Sequence, residues 1–333
     1  MAHELTIRRN GKVEMAYVGD TPWHGLGQSL PAGQSIEQWL VAAGMDWRVL
    51  RAQVRYNTSR DGDQLILDDK HVLFRSDSKA PLGVVSDNFK VVQPAQVLEF
   101  FRDLVDQGGM QLETAGTLFG GKRFWALAKT GDTGEVVAGD KVNGYLLLCT
   151  GADGSLATSA KFTSVRVVCN NTLSMARNTS AAANAAGASE VRLTHRSVFD
   201  PQAFKASMGL AHKSFDVFMT NMRALAEKTL DSRKVSELTV ALLSKSAGNL
   251  NEEALTKIVD SKPFQTIQAL YQGTGRGARM HGVEGTAWGW VNSVTEFVDH
   301  VGVSRNDDNR LNSAWFGPGE AMKSAAVELA LAV

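Results

Sequence analysis

Two turn signals constrain the first half of this chain more than anything else in it. Gly120-Gly121 interrupts MQLETAGTLFGGKRFWALAKT, and Asp153-Gly154 interrupts KVNGYLLLCTGADGSLATSAKFTSV, each between runs of strand-forming residues. Short glycine turns between such runs fix antiparallel hairpins, because their backbone twist matches that of the flanking strands. Upstream, WRVLRAQVRY alternates imperfectly, which predicts a bulge near Leu50 and Arg51. QLILD, HVLFRS and LGVVSD predict further strands, separated by Asp61-Gly62 and Asp68-Asp69. Two helices interrupt them: Ser35 caps SIEQWLVAAG, which ends at Gly44, and Pro94 opens AQVLEFFRDLVDQ, which Gly108 and Gly109 stop.

Beyond the second hairpin the pattern changes. Asn170 or Asn171 is expected to cap a helix leading into LSMAR, and NTSAAANAAGASE then has little to bury. The expected organisation is therefore residues 1–177, mainly antiparallel β with two helices; a linker at 178–190; and a mainly helical region at 191–333. VRLTHR adds one late strand to this scheme. After Asp200-Pro201, Phe204, Met208, Ala211, Phe215, Phe218, Met222 and Leu225 alternate spacings of four and three, a heptad seam that needs a partner helix. That partner is either SELTVALLSK in the same chain or a neighbouring subunit. Further helices are predicted at NEEALTKIV, at PFQTIQALY and from Pro318 onward, so the fold class is α+β.

The segment from Gly273 to Gly317 departs furthest from ordinary core composition. Gly273, Gly275 and Gly277 alternate with Thr274, Arg276 and Ala278, and Arg279 and His281 follow. Such a loop can turn backbone amides and two guanidinium groups toward an anion. It is neither a P-loop nor a dinucleotide fingerprint, since no Gly-Lys-Ser/Thr follows and no apolar strand leads in. The plainer alternative is a solvated helix connector. After Thr286, an N-cap, Ala287, Val291, Val294, Val298 and Val301 predict a helix with one buried face. Asn292, Glu296 and His300 fall on the other side, with Asp299 beside them and Asp307 and Asp308 in a following loop. A carboxylate and an imidazole one turn apart are a candidate pair of ligands for a divalent ion; a solvated polar face has the same pattern.

With 35 basic and 35 acidic residues the net charge is zero, so a phosphate-binding surface must come from local clustering. Lys122, Arg123 and Trp125 lie on the outgoing strand of the first hairpin, and Lys161, Phe162 and Arg166 on that of the second. Cations beside aromatics suit single-stranded nucleic acid, because phosphates need charge and unstacked bases need flat apolar partners. With Arg276 and Arg279 these residues form the candidate contact set, against the alternative of an ordinary solvated sheet face. Cys149 and Cys169 sit in apolar surroundings and read as reduced core residues. No apolar run is long enough for a bilayer, and the polar start lacks a signal-peptide core, so the expected compartment is the cytoplasm. No cofactor or metal is expected; the expected partners are single-stranded nucleic acid and further copies of the chain.

PWHGLG, LGVVSDNFKVVQP, KFTSVRVVCNNTLSMA and GTAWGWVNSVTEFVDH with RLNSAWFG together resemble the phage/plasmid-like family catalogued as domain of unknown function 932. The resemblance spans nearly the whole chain and implies a bacterial, phage or plasmid gene product of mobile-element origin. It supplies no catalytic residues. Mobile elements often carry recombination and strand-annealing proteins, and a sheet followed by helices is compatible with the annealers in layout, which does not by itself establish function. Three readings follow: a nucleic-acid-binding protein of annealing or recombination type; a metal-dependent nuclease or hydrolase using Glu296, Asp299, His300, Asp307 or Asp308; and a self-assembling structural or partner-binding protein.

Overall fold

The structure is a computed structural model that describes residues 6, 8, 11–19, 26–59, 62–106, 109–166, 168, 171–174, 190–200, 211–244, 251–303 and 307–333. By contact density the chain divides into two compact units. The first comprises Met1–Gly131, Leu146–Lys161 and Glu190–Gly209, and the second Asp132–Tyr145, Phe162–Ser189 and Leu210–Val333. Residues 178–189 of the expected linker lie outside the described residues.

Strands β1 (Met15–Val18) and β2 (Gln28–Leu30) precede helix α1 (Ile36–Ala42). Ser35 begins α1 with a reciprocal cap, its hydroxyl accepting from the Gln38 amide while the Gln38 side chain accepts from the Ser35 amide. Strands β3 (Val49–Asn57), β4 (Gln64–Arg75) and β5 (Pro81–Ser86) form a three-stranded antiparallel sheet in that order. Here the sequence expectations need two corrections. QLILD and HVLFRS are one strand, because Asp68-Asp69 brings neither glycine nor proline and the backbone stays extended. The bulge falls between Gln53 and Val54 rather than at Leu50, since β4 carries the extra residues 68–70 opposite that step.

Helix α2 (Pro94–Asp106) follows, and its Val97, Leu98, Phe100 and Phe101 are buried. Next come β6 (Gln111–Leu118), a 3-10 turn (Phe119–Gly121), β7 (Arg123–Glu135), β8 (Lys141–Gly151), β9 (Thr158–Arg166), β10 (Asn171–Ser174) and β11 (Glu190–Leu193). Among the described residues the larger sheet has eight strands, running β10-β9-β8-β7-β6-β1-β2, with β11 paired to β9. Both predicted hairpins form at the predicted turns, and VRL lies in the late strand. Asn171 to Ser174, expected as a helix start, pair instead with β9.

A buried ionic knot ties the start of the first unit to its sheets. Glu14 accepts from Arg75 Nη1 at 2.9 Å, from Thr117 Oγ1 at 2.5 Å and from Arg8 Nε at 3.0 Å. Asp77 accepts from Arg75 Nε at 2.9 Å, and that guanidinium holds the Asp77 carboxyl down at about 2. Arg75 also lies 4.0 Å from the centre of the Trp47 ring.

The second unit holds α3 (Ala211–Glu227), α4 (Ser232–Ser244), α5 (Glu252–Val259), α6 (Lys262–Ala269), α7 (Ala287–Glu296), α8 (Asp307–Phe316) and α9 (Pro318–Leu331). Of the heptad positions, Phe204 and Met208 lie outside the described residues, while Phe215, Phe218, Met222 and Leu225 are buried. Helix α3 packs on α7 and α9, so that stretch of the seam closes within the chain. The stretch expected as a loop around Asp307 is helical. Among the described residues no helix is long and apolar enough to cross a membrane.

Candidate nucleic-acid interface

Helix α7 positions the glycine-rich loop. All ten of its residues are buried, so it is enclosed on every side rather than on one face. Thr286 caps it by accepting from the Gly289 amide, and Gly289 then passes under the loop: a Cβ there would lie 2.5 Å from the Val283 carbonyl oxygen. Two of the polar residues of α7 bond back to their own helix, Asn292 Nδ2 donating to the Trp288 carbonyl at 2.8 Å and Ser293 Oγ to that of Trp290 at 2.7 Å.

Two buried charged groups clamp the loop. Arg166, at the end of β9 and 2% exposed, donates from Nη1 to the Arg276 carbonyl at 3.3 Å. Its Nη2 lies 3.5 Å from the Gly277 carbonyl, while Nε donates to Asp140 Oδ1 at 2.6 Å. Trp288 Nε1 takes the other Asp140 oxygen at 2.8 Å, so Asp140 joins strand to helix. Glu296 Oε2 accepts from the Arg276 amide at 2.9 Å, and burial pushes its carboxyl above the usual glutamate range, against the pull of that amide and the nearby arginines. A π-helical turn stands at each side of this clamp, Leu270–Thr274 before the loop and Phe297–Val301 after Glu296.

The clamp changes the chemistry expected of the loop. The amides of Gly275, Arg276, Ala278 and Met280 donate to Leu270, Glu296, Gly275 and Gly277 respectively, so these four are not turned outward as an anion nest. What the loop presents is its side chains: Arg276, Arg279 and His281 are exposed. The Arg279 guanidinium crosses Gly273, whose φ of +122° places it in a region favouring glycine. Among the described residues neither Arg276 nor Arg279 forms an ion pair.

The predicted contact residues divide by accessibility. Trp125, Lys161, Phe162 and Arg166 are buried, so in this conformation they offer neither a stacking platform nor a free charge. Lys122 is exposed and Arg123 half-buried, directly after the turn Phe119–Gly121. Arg123 donates to Ser155 Oγ at 3.2 Å and lies 5.3 Å from the centre of the Phe119 ring. Phe119 has φ +55°, a costly backbone state for a bulky residue. Sequence reasoning missed Phe119, Asp140 and Trp288.

Two of the candidate metal ligands have other occupations. Glu296 is taken by the Arg276 amide, and Asp299 by Lys323 Nζ at 2.7 Å, both side chains of that pair being buried. Nothing is described of the Asp307 and Asp308 side chains, and among the described residues no three His, Cys, Asp or Glu side chains are grouped to hold an ion.

No curated protein and no solved structure matches the chain. The sequence model described as Domain of unknown function (DUF932) matches residues 81–315, more than two thirds of the chain, and the protein belongs to that family.

Proposed function

We propose that the protein binds single-stranded nucleic acid through its phosphates, with Arg276 and Arg279 as the principal contacts and Lys122 and Arg123 as a second pair. The observation that carries this reading is the clamp beneath the glycine-rich loop. Burying a charge costs several kcal/mol per ion. Here two buried charged groups, Arg166 and Glu296, hold a loop whose outward side is a pair of arginines. The clamp fixes the backbone from which these side chains rise, and a guanidinium suits phosphate oxygens because its planar fork is pre-organised. The aromatic part of recognition falls to Phe119, beside Arg123, in place of the buried Trp125 and Phe162. A strand-annealing or recombination role in a mobile element is the finer form of this reading, and it rests on the resemblance in layout alone.

The test is fluorescence anisotropy of labelled single-stranded DNA and RNA titrated with the full chain at low salt. Saturable binding is expected with at least one of them. Absence of binding to both, with the protein folded, overturns the proposal.

A further inference from the structure

The hairpin of β3 and β4 runs on past the sheet that supports it. Strand β5 pairs with β4 between Lys70 and Phe74, whereas β3 follows β4 out to the pair Asn57↔Gln64. Residues 54–57 and 64–67 are thus a two-stranded ribbon, and among the described residues no further strand lies along either outer edge. The pairs Val54↔Leu67 and Tyr56↔Leu65 share one face, and Arg55↔Ile66 lies on the other. Tyr56, Leu65, Ile66 and Leu67 are 48%, 42%, 42% and 40% exposed. A two-stranded ribbon is marginal alone in water, and open edges with apolar side chains are templates for another strand.

Charge on the ribbon is sorted by strand. β3 carries Arg51 and Arg55 and no acid, while Asp63, Asp68 and Asp69 flank the apolar run Leu65-Ile66-Leu67 of β4. Arg51 is engaged by Asp87 and Asp69 by Lys70. Arg55, Asp63 and Asp68 form no ion pair among the described residues. Two β3 edges brought together would oppose like charges, as would two β4 edges; a β3 edge against a β4 edge matches them. A second copy of this chain supplies that complement.

We propose that the ribbon is a self-association surface, in which the β3 edge of one copy pairs with the 64–69 edge of the next and sets Val54 and Tyr56 beside Leu65 and Leu67. The contact is head-to-tail, so it repeats from copy to copy as a ring or an open chain. It is independent of the nucleic-acid reading and uses none of the same residues.

The experiment is sedimentation velocity on the full chain over a concentration series, with circular dichroism confirming the fold of each variant. Wild type is expected to associate in the micromolar range. Arg55→Glu alone, and Asp63→Lys with Asp68→Lys alone, should each raise the association midpoint about tenfold or more, since like charges then face each other. The triple variant, with both edges reversed, should return toward wild type. A monomeric wild type at the highest concentration overturns the proposal. Single-edge variants that associate normally, or a triple variant that stays dissociated, overturn it equally, because a like-with-like contact or an uncharged one would behave in those ways.

Discussion

Arg166 Nε and Asp140 Oδ1 meet at 2.6 Å with both side chains buried, and this pair joins the strand end at β9 to the loop that carries Arg276 and Arg279. Removing one partner leaves the other charged and buried. Arg166→Met should therefore destabilise the protein by about 3–5 kcal/mol. Asp140→Asn should cost less than Asp140→Ala, because the amide oxygen still accepts from Trp288. Urea unfolding of the variants measures both. A loss under about 1 kcal/mol for Arg166→Met would mean the pair is not a structural clamp.

Glu296 gives a pH-dependent signature. Its folded carboxyl is raised by burial, so the folded state holds the proton more tightly than the unfolded chain does. Stability contributed by the protonated form is present below the ordinary glutamate value of 4.5 and is lost as pH rises through the folded value. Glu296→Gln keeps an acceptor for the Arg276 amide and removes the ionisation, so it should gain stability relative to wild type across that window. Glu296→Ala should lose about 1–3 kcal/mol by orphaning the amide. Thermal melts at acid and neutral pH distinguish the two; a constant offset between Glu296→Gln and wild type would show that the carboxyl is not raised.

Asp77 has the opposite sign. Its folded carboxyl, held at about 2 by Arg75, lies below the ordinary aspartate value of 3.8. The pair therefore stabilises the fold above that ordinary value, and the contribution disappears as pH falls through about 2. Asp77→Asn should unfold at a higher pH than wild type during acid titration followed by tryptophan fluorescence. Coincident acid transitions would contradict the assignment.

Gly289 tests the helix beneath the loop. A methyl group at this position would sit 2.5 Å from the Val283 carbonyl oxygen, a backbone atom that cannot swing aside. Gly289→Ala should cost about 1–3 kcal/mol despite its better helix propensity, where an open helical site would gain about 1 kcal/mol. Equal or greater stability in urea would mean that α7 does not approach the loop so closely.

What the sequence made legible follows from how local each signal is. Gly120-Gly121 and Asp153-Gly154 carry their own turn chemistry, and Ser35, Thr286 and Pro318 mark helix starts within a few residues, so those elements were readable. Asp68-Asp69 misled because acids can break a strand or bulge within it, and the pairing of β3 decides which. The sidedness of Lys161, Phe162 and Arg166 was not readable: Thr158 to Ser164 are buried without alternation, so strand parity carries no information there. Asp140 was missed because its partners lie 26 and 148 positions away, and no local pattern announces them.

Salt dependence is the direct test of phosphate binding by the clamped loop. The affinity for a labelled single-stranded oligonucleotide, read by anisotropy from about 50 to about 200 mM salt, gives a log-log slope that counts the cations engaged. Arg276→Ala with Arg279→Ala should weaken binding across all sequences and flatten that slope by about 1.4, at ~0.7 per cation lost. An unchanged slope with unchanged affinity would show that the exposed arginines of this loop do not contact the phosphates.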